Sequence, residues 1–214
     1  MQKTNVTWRV IIYLTGMFLL ALGITLNTQA GLGASAIVSI PYAISRGTGL
    51  SFANLTLLIY CAFVVAQFII KGKQYNLLDI LQVVVSIVFT RFMALFQTII
   101  VYKSGFLPTD LVVLALGILL TGIGAAMTVD MTLIPNPGDG IVNSISIRSK
   151  KELGLCKNCF DLGCVICSLA IGLLFGNPIL GVGLGTLLSM LGVGRVIAIF
   201  NYMTKEKLVT LAGM

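Results

Sequence analysis

Two arginines lie inside apolar runs of this 214-residue chain, Arg91 in IVFTRFMALF and Arg195 in LGVGRVIAIF. An arginine at the centre of a membrane-spanning helix costs about 2.5–3.5 kcal/mol on insertion scales, so it needs a partner or a cavity. Facing a cavity, its planar guanidinium grips a carboxylate through two parallel hydrogen bonds, which lysine does not reproduce. Facing a neighbouring helix, or reaching the membrane interface along its stem, it serves structure alone.

Three carboxylates, Asp130, Asp139 and Asp161, sit beside apolar segments of the second half, where their first-half counterparts are uncharged. A desolvated carboxylate can titrate near neutrality, which makes Asp130 and Asp161 candidates for a coupling proton or cation. The structural alternative is local: Asp139 caps a helix, and Asp161 complements the dipole near its helix start, as Asp79 and Asp110 do for theirs. Asn27, Thr28, Gln29 and Asn136 flank Gly/Pro-rich turns. Such groups orient a small polar solute, or else satisfy the backbone of the turn itself.

Cys156, Cys159, Cys164 and Cys167 form C-x2-C-x4-C-x2-C, with Cys61 apart. On one helix they fall within a broad face, but the spacing suits neither a zinc ribbon nor the common iron–sulfur runs, and the chain has no histidine. Small apolar packing by reduced thiols is the expected use, and no metal or cofactor is expected. The sequence has no nucleotide-binding loop, no nucleophile with a credible base and no paired carboxylates at catalytic spacing, so no enzymatic activity is expected.

These residues are carried by a chain that is 57% hydrophobic and only 10% charged, against about 25% charged in soluble domains. It is a membrane protein with the bilayer as its first partner. The net charge of +7 comes mostly from residues flanking apolar runs, where orientation and anionic lipid account for it, and nucleic acid is not an expected partner. The N-terminal apolar run resembles a secretory signal, with Ala30 and Gly31 as a cleavage site. It is expected to be retained, because Leu19 to Gly23 (LLALG) is repeated as Leu120 to Gly124 (LTGIG) at an offset of 101.

Apolar runs near 10–29, 52–71, 77–101, 110–130, 159–176 and 179–200 each approach the ~20 residues that a crossing helix needs. The segments 34–45 and 139–148 are too short to cross. Each follows a Gly/Pro-rich turn, and Gly33 to Ile37 aligns with Pro137 to Ile141 at an offset of 104. Ser35 and Asp139 stand where a helix start wants an oxygen acceptor. At the same offset Arg91, Ala94 and Phe96 match Arg195, Ala198 and Phe200, while Gly49-Leu50 matches Gly154-Leu155 with one extra residue.

The expected fold is therefore all-α: a single membrane domain over 1–214, built as two three-helix repeats, about 10–101 and 110–201, each with a short broken or re-entrant helix. Three crossings per half make the copies run in opposite directions. With a cytoplasmic N-terminus, Lys3, Arg9, Lys71, Lys73, Arg148, Lys150, Lys151, Lys157, Lys205 and Lys207 lie inside, and only Arg46 and Lys103 outside. Full crossing by both short segments, eight in all, balances the charges equally well. Their length decides for six.

The order of these features resembles the YitT/YczE family of bacterial membrane proteins. The likeness rests on Gly31-Leu32-Gly33 after the first helix and Pro135-Asn136-Pro137-Gly138-Asp139-Gly140 after its counterpart, and covers about residues 10–201. No soluble C-terminal domain follows, as in the shorter, YczE-like members. The resemblance implies a bacterial inner-membrane protein with both termini cytoplasmic, and implies no particular activity.

Two breaks in membrane helices imply a shared cavity, since free backbone polar groups are tolerated at that depth only against protein or water. The expectation is a small secondary transporter with a midplane site formed by Arg91, Arg195, Asn27, Gln29, Ser35, Asn136 and Asp139. Helix N-termini and arginines outweigh the aspartates modestly, so the solute is a small anion or a zwitterion. The alternative is an accessory or regulatory protein that moves no solute. Glycines such as Gly163, Gly181, Gly183, Gly185, Gly192 and Gly194 serve close helix approach or sliding. Homo-oligomerisation is left open.

Overall fold

The computed structural model describes residues 5–72, 76–103 and 105–213, so Lys3 and Lys73 of the charge count lie outside the described residues. Among these, eight α-helices follow in order: α1 (Val6–Gln29), α2 (Ala36–Thr48), α3 (Phe52–Lys71), α4 (Leu81–Ile99), α5 (Leu107–Asp130), α6 (Pro137–Ser149), α7 (Leu153–Leu174) and α8 (Leu184–Leu211). All but α2 and α6 are long and apolar enough to cross a membrane. The two exceptions have 13 residues each, about 20 Å at 1.5 Å per residue against a core of about 30 Å. The protein is an all-helical, multi-pass membrane protein.

Helix bounds depart from the apolar runs at several ends. A single 3-10 turn, Leu77–Ile80, precedes α4; α7 starts at Leu153 rather than near 159; and α8 runs to Leu211 rather than 200. Hydropathy marks where lipid ends. Backbone hydrogen bonding carries a helix onward into polar residues such as Lys157 or Lys205. Asp161 consequently lies well inside α7, not near its start, and pairs with Lys157 at 2.8 Å across one turn.

The centre of the molecule is the crossing of α1 and α5. A Cβ on Gly23 would strike the Thr121 amide and the Gly117 carbonyl, and one on Gly117 would meet the Asn27 amide and the Gly23 carbonyl. A Cβ on Gly124 would likewise strike the Leu20 amide and the Gly16 carbonyl. The two helices are thus antiparallel and in backbone contact, which only small residues permit. Gly117 and Gly124 are the copies of Gly16 and Gly23 at the offset of 101, and each glycine meets the copy of the other.

Around this pair, α4 packs on α1 and α8 on α5, while α2 packs on α7 and α3, and α6 on α3 and α7. The Asn5 N–H donates to the Ala212 carbonyl at 3.0 Å, so both ends of the described chain share one face, here the termini face. Gly47, near the end of α2, lies against the Phe175 ring at the end of α7, on the opposite face. α6 ends where α7 begins, on the termini face. The two short helices therefore enter from opposite faces.

Candidate functional site

The short helices meet start to start. The Ile37 side chain, in the first turn of α2, rests on the backbone of Gly138 in the first turn of α6. Each helix points the positive end of its dipole at this junction; in α6 the Gly138, Asp139 and Gly140 N–H groups are all taken up by Asn136, through its Oδ1 and its carbonyl, and Pro137 has none. Gly33, with φ of +102°, turns the chain into α2, and a side chain there would also strike Gly183 and Thr186. Ser35 holds the N-cap position of α2 with extended backbone, but its side chain makes no capping bond. In α6 the cap is Asn136, whose Oδ1 accepts from the Gly138 N–H at 3.0 Å.

That corrects the expectation that Asp139 caps α6. Pro137 has no N–H to be capped and its fixed φ suits the first helical position, so the acceptor belongs one residue earlier, at Asn136. Asp139 instead falls in the first helical turn and is exposed, between buried Gly138 and Gly140. Lys157 and Asp161 on α7 are near enough to act on it electrostatically.

A cavity of about 620 Å³ opens on the termini face, lined by Tyr13, Asn76, Asp79, Gln82 and the Thr132–Pro135 turn among others; its lining stops at Pro135, short of Ile37, Gly138 and Asp139. The turn is held from α1: the Tyr13 hydroxyl donates to the Ile134 carbonyl at 2.6 Å and Arg9 to the Met131 carbonyl at 2.7 Å. Thr132 carries a φ of +46°, a left-handed backbone that a β-branched residue adopts only under constraint. Tyr13 also borders an inner void that ends on Asn136 and measures about 10 Å³, at the threshold for a single water. Asp79 is paired with Lys71 at 2.7 Å.

One wall of the cavity contains an amide pair that the sequence does not announce. Gln67 of α3 and Gln82 of α4 exchange two hydrogen bonds, 3.0 and 3.1 Å, and both are buried. Gly140 packs directly over them, because any Cβ there would overlap Gln82 Oε1 and Gln67 Oε1. The available signal is two glutamines at the ends of consecutive apolar runs, polar groups that must find each other when water is excluded.

The other candidates are dispersed. Arg91 and Arg195 are both exposed, and neither lines the cavity or the inner void described above; Arg91 donates to Asn54 Oδ1 on α3 at 3.0 Å. Gln29 ties α1 to the α4–α5 connection, donating to the Ile100 carbonyl and accepting from the Tyr102 N–H at 3.1 Å. Asn27 is buried at the α1–α8 contact, where it donates to Ser189 Oγ at 2.5 Å, and its Oδ1 has no partner among the described residues. Thr28 returns its hydroxyl to carbonyls of its own helix.

Asp130 ends α5 with a side chain only 2% exposed; Lys205 stands 3.6 Å away and the Asn201 amide 3.5 Å. One carboxylate oxygen and Asn201 Oδ1 stay unpartnered among the described residues. Of the cysteines, Cys156 and Cys164 are buried, Cys159 and Cys167 exposed, and all are free. Gly181, Gly183, Gly185 and Gly192 meet neighbouring groups closely, whereas Gly163 and Gly194 face open space.

Six helices long and apolar enough to cross a membrane, two 13-residue helices between them and a glycine-lined antiparallel centre define the class, a polytopic helical membrane protein. The chain belongs to the family of unknown function DUF6198, which matches residues 7–202. It is also similar to the uncharacterized protein YyaS of Bacillus subtilis (strain 168), 24% identical over 188 residues that cover 88% of this chain and 90% of the relative. No solved structure matches. Neither likeness links the chain to YitT/YczE in particular.

Proposed function

We propose that the protein is a small secondary transporter in a bacterial inner membrane, both termini cytoplasmic, that carries a small zwitterionic or anionic solute. The observation that supports this most is the meeting of α2 and α6 at Ile37 and Gly138, with a cavity of about 620 Å³ on the termini face that reaches Pro135, two residues before α6's Pro137–Gly138 turn. Opposed half-helices with their N-termini at mid-membrane form anion sites in transporters built from inverted repeats. The α1–α5 glycine exchange at the offset of 101 supports an inverted repeat.

With Arg91 and Arg195 on the outside of the bundle, the positive charge at the junction reduces to two helix ends, each roughly half an elementary charge. Exposed Asp139 offsets part of it. A solute carrying a carboxylate for the helix ends and an ammonium group for Asp139 suits this balance better than a simple anion. Asp130, with its unpartnered oxygen beside Asn201, is the proposed proton acceptor.

One observation favours the accessory reading: the junction is filled by Ile37 and the route past Tyr13 is closed in this state. Counterflow in proteoliposomes separates the two. Vesicles containing the protein and preloaded with unlabelled neutral amino acids should accumulate the same labelled amino acids faster than protein-free vesicles. Absence of counterflow for zwitterions and for small carboxylates alike would retire the transporter in favour of the accessory role.

A further inference from the structure

The two halves differ in how their last two long helices pack. In the first, α3 packs along α4; in the second, the counterparts α7 and α8 do not pack along each other. The spanning windows of α3 and α4 are 33% buried, those of α7 and α8 only 17%. Gly163 on α7 and Gly194 on α8 both face open space. Burial favours a correspondence of 104 residues: three of the four buried residues of α7, Cys156, Cys164 and Ser168, stand 104 residues after Phe52, Tyr60 and Val64, all buried on α3.

At that offset the Arg91–Asn54 hydrogen bond, which joins α4 to α3, has Arg195 and Asn158 as its counterpart. Both are exposed, and neither makes a hydrogen bond or ion pair among the described residues. The same groups that close one half are thus present and unjoined in the other. We infer that α7 and α8 form a gate, which closes by bringing the Arg195 guanidinium onto the Asn158 side-chain oxygen as Arg91 is brought onto Asn54.

The sequence also explains why this half stands open. Tyr60 and Phe89 stack across α3 and α4 with centroids 6.0 Å apart. Their counterparts are Cys164 and Val193, too small to fill the same span. Closure therefore gains the hydrogen bond without the ring pair, and the closed form is only slightly favoured or disfavoured. Desolvating an unpaired arginine in the membrane is costly, which supplies the pull, and the missing rings leave it reversible. The gate needs no transported solute, so it stands or falls apart from the transport reading.

Paired spin labels test it in the full-length protein in lipid nanodiscs, attached through a genetically encoded ketone residue so that the native cysteines stay. Leu58 with Ile87 reports α3–α4, and the counterpart pair Leu162 with Leu191 reports α7–α8; all four are exposed. The first pair should give one short distance. The second should give two, the shorter equal to the first pair's. Asn158→Ala or Arg195→Ala should abolish the shorter component, and Val193→Phe should enrich it at least twofold, each with the 58–87 distance unchanged as the check on folding. A single long 162–191 distance in the wild type and in Val193→Phe, or a short component indifferent to all three substitutions, overturns the gate.

Discussion

Ile37 lies across the backbone of Gly138, so the first turns of two helices that enter from opposite faces are in van der Waals contact at the middle of the molecule. A Cβ on Gly138 would stand 3.1 Å from both Ile37 Cδ1 and Cγ2. Gly138→Ala should lower thermal stability in detergent, by about 1–3 kcal/mol as over-packing generally does. Ile37→Val in the same chain should recover part of that loss, because it removes Cδ1, one of the two methyl groups that the new side chain meets.

The α1–α5 crossing sets a sharper contrast among glycines. Gly23→Ala and Gly117→Ala push a methyl group into backbone of the facing helix, and unfolding curves should show losses of about 1–3 kcal/mol or more. Gly163→Ala on α7 meets nothing within 4 Å and should stabilise by up to about 1 kcal/mol through helix propensity alone. Equal effects at the three positions would mean that α1 and α5 are not in backbone contact.

For Gln67 and Gln82 the prediction is non-additivity. Gln67→Leu strands the buried Gln82 amide, at a cost of about 1–3 kcal/mol. Combining Gln67→Leu with Gln82→Leu removes both polar groups and should be less damaging than either single change. Additive losses in a double-mutant cycle would show that the amides do not depend on each other.

How far the sequence carries the reader can be judged residue by residue. Six spans and two half-length helices are legible because length and hydropathy are set by the bilayer itself. The Gly33 and Asn136–Gly138 turns are legible because backbone geometry restricts them to few residue types. For Arg91 the sequence leaves open whether it faces a cavity or a neighbouring helix, because the cost of a buried charge says that a partner exists, not which one; the partner is Asn54. Asp139 reads wrongly as a cap because Asn136 and Pro137, just upstream, do the same work better. Gln67 and Gln82 escape notice because their meaning lies in a pairing between helices that no single window contains.

At the α5–α8 contact, Lys205 is the only cation paired with nearly buried Asp130 among the described residues. Lys205→Ala should therefore destabilise the fold near neutral pH, and Asp130→Asn should suppress that effect by removing the stranded charge. Melting temperatures of the single and double variants check this. If Lys205→Ala is equally harmful in the Asp130→Asn background, the pair is incidental and Asp130 is a weaker candidate for a coupling group.

The central claim is that α2 and α6 are half-membrane helices entering from opposite faces. Single cysteines at Thr48, Leu77 and Lys151, in a background with the five native cysteines changed to Ala, report it through an impermeant maleimide on intact bacterial cells. The account predicts labelling at Thr48 from outside, and at Leu77 and Lys151 only after permeabilisation. Labelling of Leu77 in intact cells with Thr48 protected would mean that α2 crosses fully, and would contradict both the opposed half-helices and the site built on them.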